Sequence, residues 1–173
     1  MGIVAGLDSS SAFTRIVVCD TETGAVLRQG YAPHPQPTGE PDGANPHETD
    51  PQAWLLSLGE AAGGGLLEGV QAIGVSAQQH GLLPLDPQGA LVRPALVGND
   101  KRGQVAAADL IEAFGGRHHW VEAVGSVPHS AQPVAKLAWL ARNEPEAARR
   151  IAVLMSPHDW LVWQLLGRPA RRT

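Results

Sequence analysis

Apolar stretches near the N-terminus predict three β-strands joined by short turns. The first runs from Gly2 to Leu7, the second from Thr14 to Cys19 and the third from Ala25 to Ala32. Small polar and turn-forming residues separate these stretches, which is the pattern of an antiparallel meander. We therefore expect the chain to begin with three consecutive antiparallel strands.

Further along, the pattern predicts a loop and then alternating helices and strands. Residues 33–51 are rich in Pro, Gly, Asn and Asp, which favours an exposed loop without a ladder or a helix. Asp50 and Pro51 then favour a helix start, because Asp is a good N-cap and Pro suits the first helical position. Strands are expected at 70–77, 82–85, 91–97 and 151–155, and further helices at 101–114, 133–143 and 160–166.

This order of elements predicts an α/β fold. A ribonuclease H-like domain has this order, with three strands followed by a helix, a strand and then further αβ units. In such a domain an antiparallel meander precedes parallel strands that alternate with helices.

Composition narrows the classes of function. The 173 residues carry a net charge of −4 with His neutral, and a nucleic-acid surface is disfavoured because it needs clustered Lys and Arg. No apolar run has the length of a membrane span, and the N-terminus has no signal-peptide pattern. The single cysteine, Cys19, lies in an apolar run that predicts a buried strand position, and one thiol suits a reducing cytoplasm. We therefore expect a cytoplasmic protein that binds neither nucleic acid nor membranes.

The stretch 72–81 begins as an apolar strand and becomes polar where the predicted strand ends. The residues that follow the strand are Gln78, Gln79, His80 and Gly81. In open α/β sheets ligands bind at the carboxyl ends of strands, so this change points to a small polar ligand. A loop entry in which the polar groups are satisfied locally explains the same residues equally well.

Two other polar clusters follow predicted strands. Asp8 precedes Ser9, Ser10 and Ser11, and a carboxylate beside a tight turn of small residues can face Mg²⁺ and a phosphate; an ordinary polar turn is the alternative. The second cluster comprises Asn99, Asp100 and Arg102. Asn99 or Asp100 can cap the next helix, and Arg102 can recognise a polar group or remain solvated.

Several familiar sites are excluded by spacing. No His or Cys pair has the spacing of a zinc site, and the sequence contains neither a Walker A segment nor a Gly-x-Gly-x-x-Gly after a strand. A nucleotide would therefore have to be bound in another way.

Taken in this order, the three clusters resemble motifs of the FGGY carbohydrate kinases. Asp8 and the serines look like the family's first phosphate hairpin, with Arg15 where Lys usually follows. Gln79-His80-Gly81 is similar to the sugar-binding segment Gln-Met-His-Gly, with Gln79 in place of Met. Residues 93–102 resemble Arg-Pro-Ala-Ile-Leu-Trp-Asn-Asp-x-Arg, with Gly98 in place of Trp. Helical motifs at 135–140, 143–146 and 158–161 extend the likeness from residue 3 to about residue 167.

The resemblance implies the N-terminal part of an actin-like, two-domain kinase that uses ATP and Mg²⁺. The Gln-x-His-Gly segment is most similar to that of members that phosphorylate D-xylulose to D-xylulose 5-phosphate. Residues 1–167 would form the N-terminal domain, truncated at its C-terminal side, and residues 168–173 a frayed end. The ATP-binding C-terminal domain and the general base would lie outside this chain, so no catalytic residue is assigned and the chain alone is expected to lack kinase turnover.

The resemblance also divides the candidate site residues into two sets. The phosphate set, in which Asp8 would hold the metal through water, consists of Asp8, Ser9, Ser10, Ser11 and Arg15. The sugar set consists of Gln79, His80, Gly81, Asn99, Asp100 and Arg102.

Three alternatives remain open from sequence. The first is a kinase of the same family for ribulose, gluconate or glycerol, and the second is a non-catalytic remnant that binds a sugar or polyol. The third is a ribonuclease H-like nuclease, which would need several carboxylates around Asp8 and a more basic surface than this composition provides. A homodimer is compatible with the resemblance.

Overall fold

The structure is a computed structural model that describes residues 2–35, 47–98 and 100–167. These residues form a mixed α/β structure. In chain order the strands are β1 (Ile3–Ser9), β2 (Phe13–Asp20), β3 (Val26–Pro33), β4 (Glu48–Thr49), β5 (Ala72–Ala77), β6 (Leu83–Leu85), β7 (Ala95–Leu96) and β8 (Val153–Met155). The helices are α1 (Gln52–Ala61), α2 (Gln104–Ala113), α3 (Arg117–Val124), α4 (Pro133–Asn143), α5 (Pro145–Arg150) and α6 (Pro157–Leu165).

The described residues divide into two compact units. Unit 1 comprises residues 2–35, 50–78 and 157–167, and unit 2 comprises residues 47–49, 79–98 and 100–156. Among the described helices, none combines the length and the apolar character needed to cross a membrane.

Unit 1 is built on a four-stranded sheet in the order β3-β2-β1-β5. β1 pairs antiparallel with β2, and β2 pairs antiparallel with β3, so the first three strands follow one another across the sheet in chain order. β5 joins β1 in parallel after the helix α1. The antiparallel strands and the first parallel strand therefore occur in the order that the sequence pattern predicts.

One face of this sheet carries the core of unit 1. On β1, Ala5 and Leu7 are buried and Gly6 and Asp8 are exposed, which is the alternation of a sheet with one covered face. The helix α1 contributes Trp54, Leu58 and Ala61 to the core, and the Trp54 ring meets the Trp160 ring of α6 edge-on at 6.1 Å between centroids. Burial of apolar side chains on this face stabilises the unit.

Unit 2 combines two short ladders with four helices. β4 pairs antiparallel with β7, and β6 pairs antiparallel with β8. Its core is centred on Leu82, Leu96 and Leu140, against which Leu137 and Trp139 pack. The helix α4 thus supplies much of the apolar surface on which the unit is assembled.

Several predicted strand bounds are wrong for identifiable reasons. The loop predicted at 33–51 was expected to carry no ladder, yet Glu48–Thr49 pairs with Ala95–Leu96; residues 36–46 lie outside the described residues. The strand predicted at 91–97 is reduced to Ala95–Leu96, because Pro94 has no N–H to donate to a ladder. Cys19 is half-buried rather than buried, since the alternation of β2 turns Val18 and Asp20 to the covered face.

The helices differ from prediction mainly at their starts. α1 begins at Gln52, one residue after the first helical position expected at Pro51, and the Asp50 Oδ1 accepts the Gln52 N–H at 2.9 Å. α6 begins at Pro157, three residues before the predicted start. α3 was not predicted as a helix; Gly115 and Gly116, with φ of 88° and 104°, end α2 and allow the new helix to follow at once.

Candidate functional site

Asp8 lies in unit 1 near the carboxyl end of β1, on the exposed face of the sheet. The strand register places it opposite Arg15 on β2 and Ser76 on β5. Arg15 donates from Nη2 to Gln29 Oε1 at 3.0 Å on the same face. The structure therefore brings together one carboxylate, one guanidinium and one hydroxyl on neighbouring strands.

This part of the sheet face forms an open pocket of about 640 Å³. Gly6 and Gly74 face each other in register across β1 and β5, and a Cβ at either position would meet no atom within 4 Å. Because these positions lack side chains, no side chain protrudes there and the sheet surface beside Asp8 is accessible. The pocket is lined by Gly6, Leu7, Asp8, Arg15, Val17, Gly74, Val75 and Ser76.

The three serines after Asp8 have different environments. Ser9 is buried, whereas Ser11 is exposed. The Ser10 hydroxyl accepts the N–H groups of Ala12 and Phe13 at 3.1 Å each, so it closes the turn between β1 and β2. The Ser10 hydroxyl therefore stabilises the turn. The exposed hydroxyl at the tip of the turn is that of Ser11.

Gln78 helps to fix this turn. Its side-chain Nε2 donates to the backbone oxygen of Ser10 at 3.0 Å, and its own backbone oxygen accepts the His158 N–H at 3.2 Å. The distance between His158 Nε2 and the backbone oxygen of Val75 is 3.3 Å. Gln78 and His158 thus tie the serine turn, the end of β5 and the start of α6 together within unit 1.

In unit 2, the side chains of Gln79 and His80 are exposed and Gly81 is buried. Because they are accessible to solvent, the side chains of Gln79 and His80 do not need a buried hydrogen-bond partner. The His80 ring meets the His129 ring edge-on, with centroids 6.0 Å apart. What holds this segment is a contact to the backbone of His80.

That contact comes from Lys136 on α4. Lys136 is only 1% exposed, and its Nζ donates to the backbone oxygens of His80 at 2.5 Å and Ala131 at 2.7 Å. Burial lowers the pKa of Lys136 to about 8, although the charge of Asp100 opposes this shift. Sequence reasoning gave Lys136 no role; its spacing of four from buried Leu140 was the available signal, because i and i+4 share a helix face.

Asp100 is 1% exposed and is held by Arg102. Its Oδ1 accepts the Arg102 backbone N–H at 2.9 Å, and its Oδ2 accepts from Arg102 Nη2 at 2.6 Å. α2 begins only at Gln104, with Gly103 before it, so Asp100 does not cap that helix as expected. Asn99, the other predicted cap, lies outside the described residues.

Arg102 and Arg93 extend the ionic contacts away from Asp100. Arg102 Nη2 also donates to Glu48 Oε1 at 2.8 Å, and Arg93 forms ion pairs with Glu48 and with Glu144. Burial lowers the pKa of Arg102, but its contacts with Asp100 and Glu48 outweigh burial and raise it. The Arg102 guanidinium lies 4.4 Å from the centroid of the Trp139 ring. Sequence reasoning assigned no role to Glu48, Arg93 or Glu144, because contacts between distant segments leave no local pattern.

Asp100 also forms part of a pocket of about 420 Å³ in unit 2. A Cβ at Gly98 would meet no atom within 4 Å, so the position is open. The described residues include no group of three or more His, Cys, Asp or Glu arranged to hold a metal ion directly. The pocket is lined by His47, Gly98, Asp100, Lys101, Ser130 and Ala131.

Comparison with known proteins shows the family to which this chain is similar. Residues 3–171 match the family described as "FGGY family of carbohydrate kinases, N-terminal domain". Xylulose kinase of Streptomyces coelicolor is 42% identical over 167 residues, covering 95% of this chain and 34% of that protein. Xylulose kinase of Streptomyces rubiginosus is 40% identical over 168 residues, covering 96% and 34%.

A solved structure shows the same likeness in three dimensions. The crystal structure of xylulose kinase from Bifidobacterium adolescentis matches with a TM-score of 0.87 and 38% identity, covering 99% of this chain and 35% of that one. This chain thus spans about a third of the length of the two Streptomyces xylulose kinases.

Proposed function

The chain belongs to the FGGY family of carbohydrate kinases, and we propose that it is the N-terminal, sugar-binding part of a kinase that phosphorylates D-xylulose. The reaction would transfer the γ-phosphoryl group of ATP to a sugar hydroxyl and give D-xylulose 5-phosphate. The observation that carries the proposal is the buried Asp100 carboxylate in the wall of a pocket in unit 2. The xylulose kinases at 42% and 40% identity support the choice of sugar.

The sugar side consists of unit 2 residues. A pocket of about 420 Å³ falls in the size range of small-molecule sites. Asp100 accepts hydrogen bonds from sugar hydroxyls, and Gln79 and His80, both exposed, supply further polar contacts. Arg102 acts mainly by orienting Asp100, Gly81 shapes the backbone after His80, and Asn99 completes the set.

The phosphate side consists of unit 1 residues around the turn from β1 to β2. Asp8 is a single exposed carboxylate without two further acidic or imidazole ligands in the described residues, which suits contact with Mg²⁺ through water rather than direct ligation. Mg²⁺, when bound, would neutralise phosphate charge. Arg15 adds a cation, the Ser11 hydroxyl is exposed for a phosphate oxygen, and Ser9 and Ser10 set the turn. Phosphoryl transfer relies on such positioning and charge neutralisation.

The remaining parts of the proposal concern the context of the chain. We assign residues 1–167 to an N-terminal domain of ribonuclease H-like, actin-like fold, supported by the sheet order β3-β2-β1-β5. The end at 168–173, expected to be frayed, lies outside the described residues. ATP would bind mainly to a further domain, which would also complete the catalytic machinery. We place the protein in the cytoplasm, with a homodimer as the expected assembly.

Titration calorimetry on the purified chain tests the sugar side. D-xylulose is expected to bind more tightly than D-ribulose, gluconate or glycerol, and Asp100→Asn is expected to abolish the difference. Equal binding of all four ligands would contradict the choice of sugar.

A chimera tests the reaction. This chain replaces the matching third of the Streptomyces coelicolor enzyme, and ADP release is followed with and without D-xylulose. Xylulose-dependent turnover supports the kinase. A folded chimera that binds D-xylulose without turnover would instead indicate a non-catalytic sugar-binding protein.

A further inference from the structure

Lys136 is a buried, ionisable group to which the proposed reaction gives no role. It lies on α4 in unit 2 and is 1% exposed, which is rare for Lys because the ammonium loses its hydration on burial. A buried cation persists only where it is paired or fully hydrogen-bonded. Its partners therefore indicate what it does.

The first partners are two backbone carbonyl groups. Nζ donates to the His80 oxygen at 2.5 Å and to the Ala131 oxygen at 2.7 Å. His80 belongs to the proposed sugar set, and Ala131 lines the pocket that contains Asp100. One ammonium group thus joins the backbone of the His80 segment to the backbone of the pocket wall.

Lys136 also interacts with Asp100, which is the first carboxylate in a series of ion pairs of alternating sign. The field of Asp100 acts on Lys136, Asp100 is paired with Arg102, and Arg102 with Glu48. Glu48 is paired with Arg93, and Arg93 with Glu144. Each member has neighbours of opposite sign, and the three cations balance the three carboxylates.

The chain of charges connects the two ends of one helix. Lys136 lies in the first turn of α4, and Glu144 directly follows its last residue. Both guanidinium groups also lie over Trp139 of α4, at 4.4 Å for Arg102 and 5.9 Å for Arg93. Because Lys136 and Asp100 are each 1% exposed, removal of one leaves the other charge buried with one partner fewer, which costs more than the loss of an exposed ion pair.

We propose that Lys136 is a positioning residue of the sugar pocket, where its ammonium group fixes the backbone of His80 and completes the charge balance that orients Asp100. The inference rests on the proposed function for the identity of the ligand, D-xylulose. Lys136 itself does not touch the sugar. It acts because small displacements of polar groups that hold a substrate are costly.

Three variants of the chain test this role. Lys136→Met keeps the length of the side chain and removes the donors, Lys136→Gln keeps a shorter donor, and Leu140→Ala is the matched control. Leu140 is fully buried on the same helix, in the apolar cluster with Leu82 and Leu96, and its side chain has no group that donates to the two carbonyl oxygens. Each variant is studied by amide NMR, by thermal unfolding and by calorimetry with D-xylulose.

For Lys136→Met we expect shifted NMR signals at Gly81 and Gln132, whose N–H groups follow the two carbonyls, and binding of D-xylulose weakened about tenfold. Lys136→Gln should lie between Lys136→Met and the wild type. Leu140→Ala should lower the Tm at least as much but leave D-xylulose affinity within about twofold.

The proposal is overturned if Lys136→Met leaves the Gly81 and Gln132 signals unchanged, or if affinity falls in proportion to Tm in all three variants. If Lys136→Met does not fold, the Lys136→Gln comparison decides in the same way. Failure of the wild-type chain to bind D-xylulose would count against the proposed sugar, whereas the NMR arm still decides whether Lys136 positions His80.

Discussion

The side-chain amide of Gln78 donates to the backbone oxygen of Ser10 at 3.0 Å, although 68 positions separate the two residues in the sequence. This bond holds the turn between β1 and β2 against the end of β5. The turn that we assign to phosphate binding is therefore shaped by a residue from the run that first indicated a small polar ligand. Gln78 and Gln79, adjacent in sequence, have different roles.

Gln78→Ala should lower the free energy of unfolding by about 1 kcal/mol, because the Ser10 oxygen loses its partner. Urea denaturation followed by Trp fluorescence measures the change. Gln79→Ala is the matched control, since Gln79 is exposed and its removal should change stability by less than about 0.5 kcal/mol. Equal effects of the two substitutions would show that the bond to Ser10 contributes nothing.

Gly30 on β3 allows α1 to approach the sheet. A Cβ at Gly30 would overlap the Ala61 carbonyl oxygen and come within 2.8 Å of Leu66. Gly30→Ala should therefore destabilise the chain by about 1–3 kcal/mol, the usual cost of overpacking. Gly6→Ala on the open face, where a Cβ meets no atom within 4 Å, should be close to neutral. Thermal unfolding of the two variants gives the comparison, and a stable Gly30→Ala protein would contradict the close approach of α1.

Asp20 should contribute to loss of stability in acid. The Thr23 and Glu22 N–H groups donate to its Oδ1 at 2.8 and 2.9 Å, and these bonds lower the pKa of Asp20 below its ordinary value. A lowered folded-state pKa stabilises the fold above the unfolded-state pKa, and this contribution is lost as pH falls through the folded-state value. Urea unfolding between about pH 6 and about pH 3 should show a steeper loss for the wild type than for Asp20→Asn. Parallel curves would exclude a role for this carboxylate.

The sequence was most informative where a structure depends on local pattern. The apolar run from Gly2 to Leu7 predicts the first strand, which the structure places at Ile3–Ser9, and Pro133 marks the start of α4 at the residue predicted. The strand at 91–97 was overestimated because its apolar residues are buried against other segments, while Pro94 limits the ladder.

The sequence predicted the individual candidate residues of the site but not the contacts between them. The spacing of Asp8, His80 and Asp100 after predicted strands identified candidate polar positions. Nothing local to Lys136 indicates that its ammonium group binds a carbonyl 56 positions away, and nothing near Glu48 indicates two arginine partners. Such contacts depend on tertiary packing, which periodicity does not report.

Lys136 should make stability depend on pH in the alkaline range. Burial lowers the pKa of Lys136 to about 8, whereas an unfolded Lys titrates near pH ~10.4. Between these two pKa values the unfolded state binds more protons than the folded state, so the free energy of unfolding should rise with pH. Below about pH 8, Lys136 is charged in both states, and the free energy of unfolding is lowered by the full cost of burying that charge. The wild type should gain up to roughly 3 kcal/mol relative to Lys136→Met between about pH 8 and about pH 10.5. Urea unfolding at several pH values measures this difference, and a constant difference would mean that Lys136 titrates normally.

His80→Ala should affect sugar and nucleotide differently in the chimera with the Streptomyces coelicolor enzyme. The backbone of His80 is held by Lys136 while its side chain is exposed, so removal of the imidazole deletes polar contacts without loosening the segment that carries it. We expect KM for D-xylulose to rise about tenfold, the value of a lost hydrogen bond to a substrate, and KM for ATP to stay within about twofold. Steady-state ADP release with each substrate varied in turn measures both constants. His118→Ala, which removes an exposed imidazole from α3, is the control and should change neither constant. A parallel rise in both KM values would place His80 outside the sugar side, because a group that touches only the sugar cannot weaken both substrates alike.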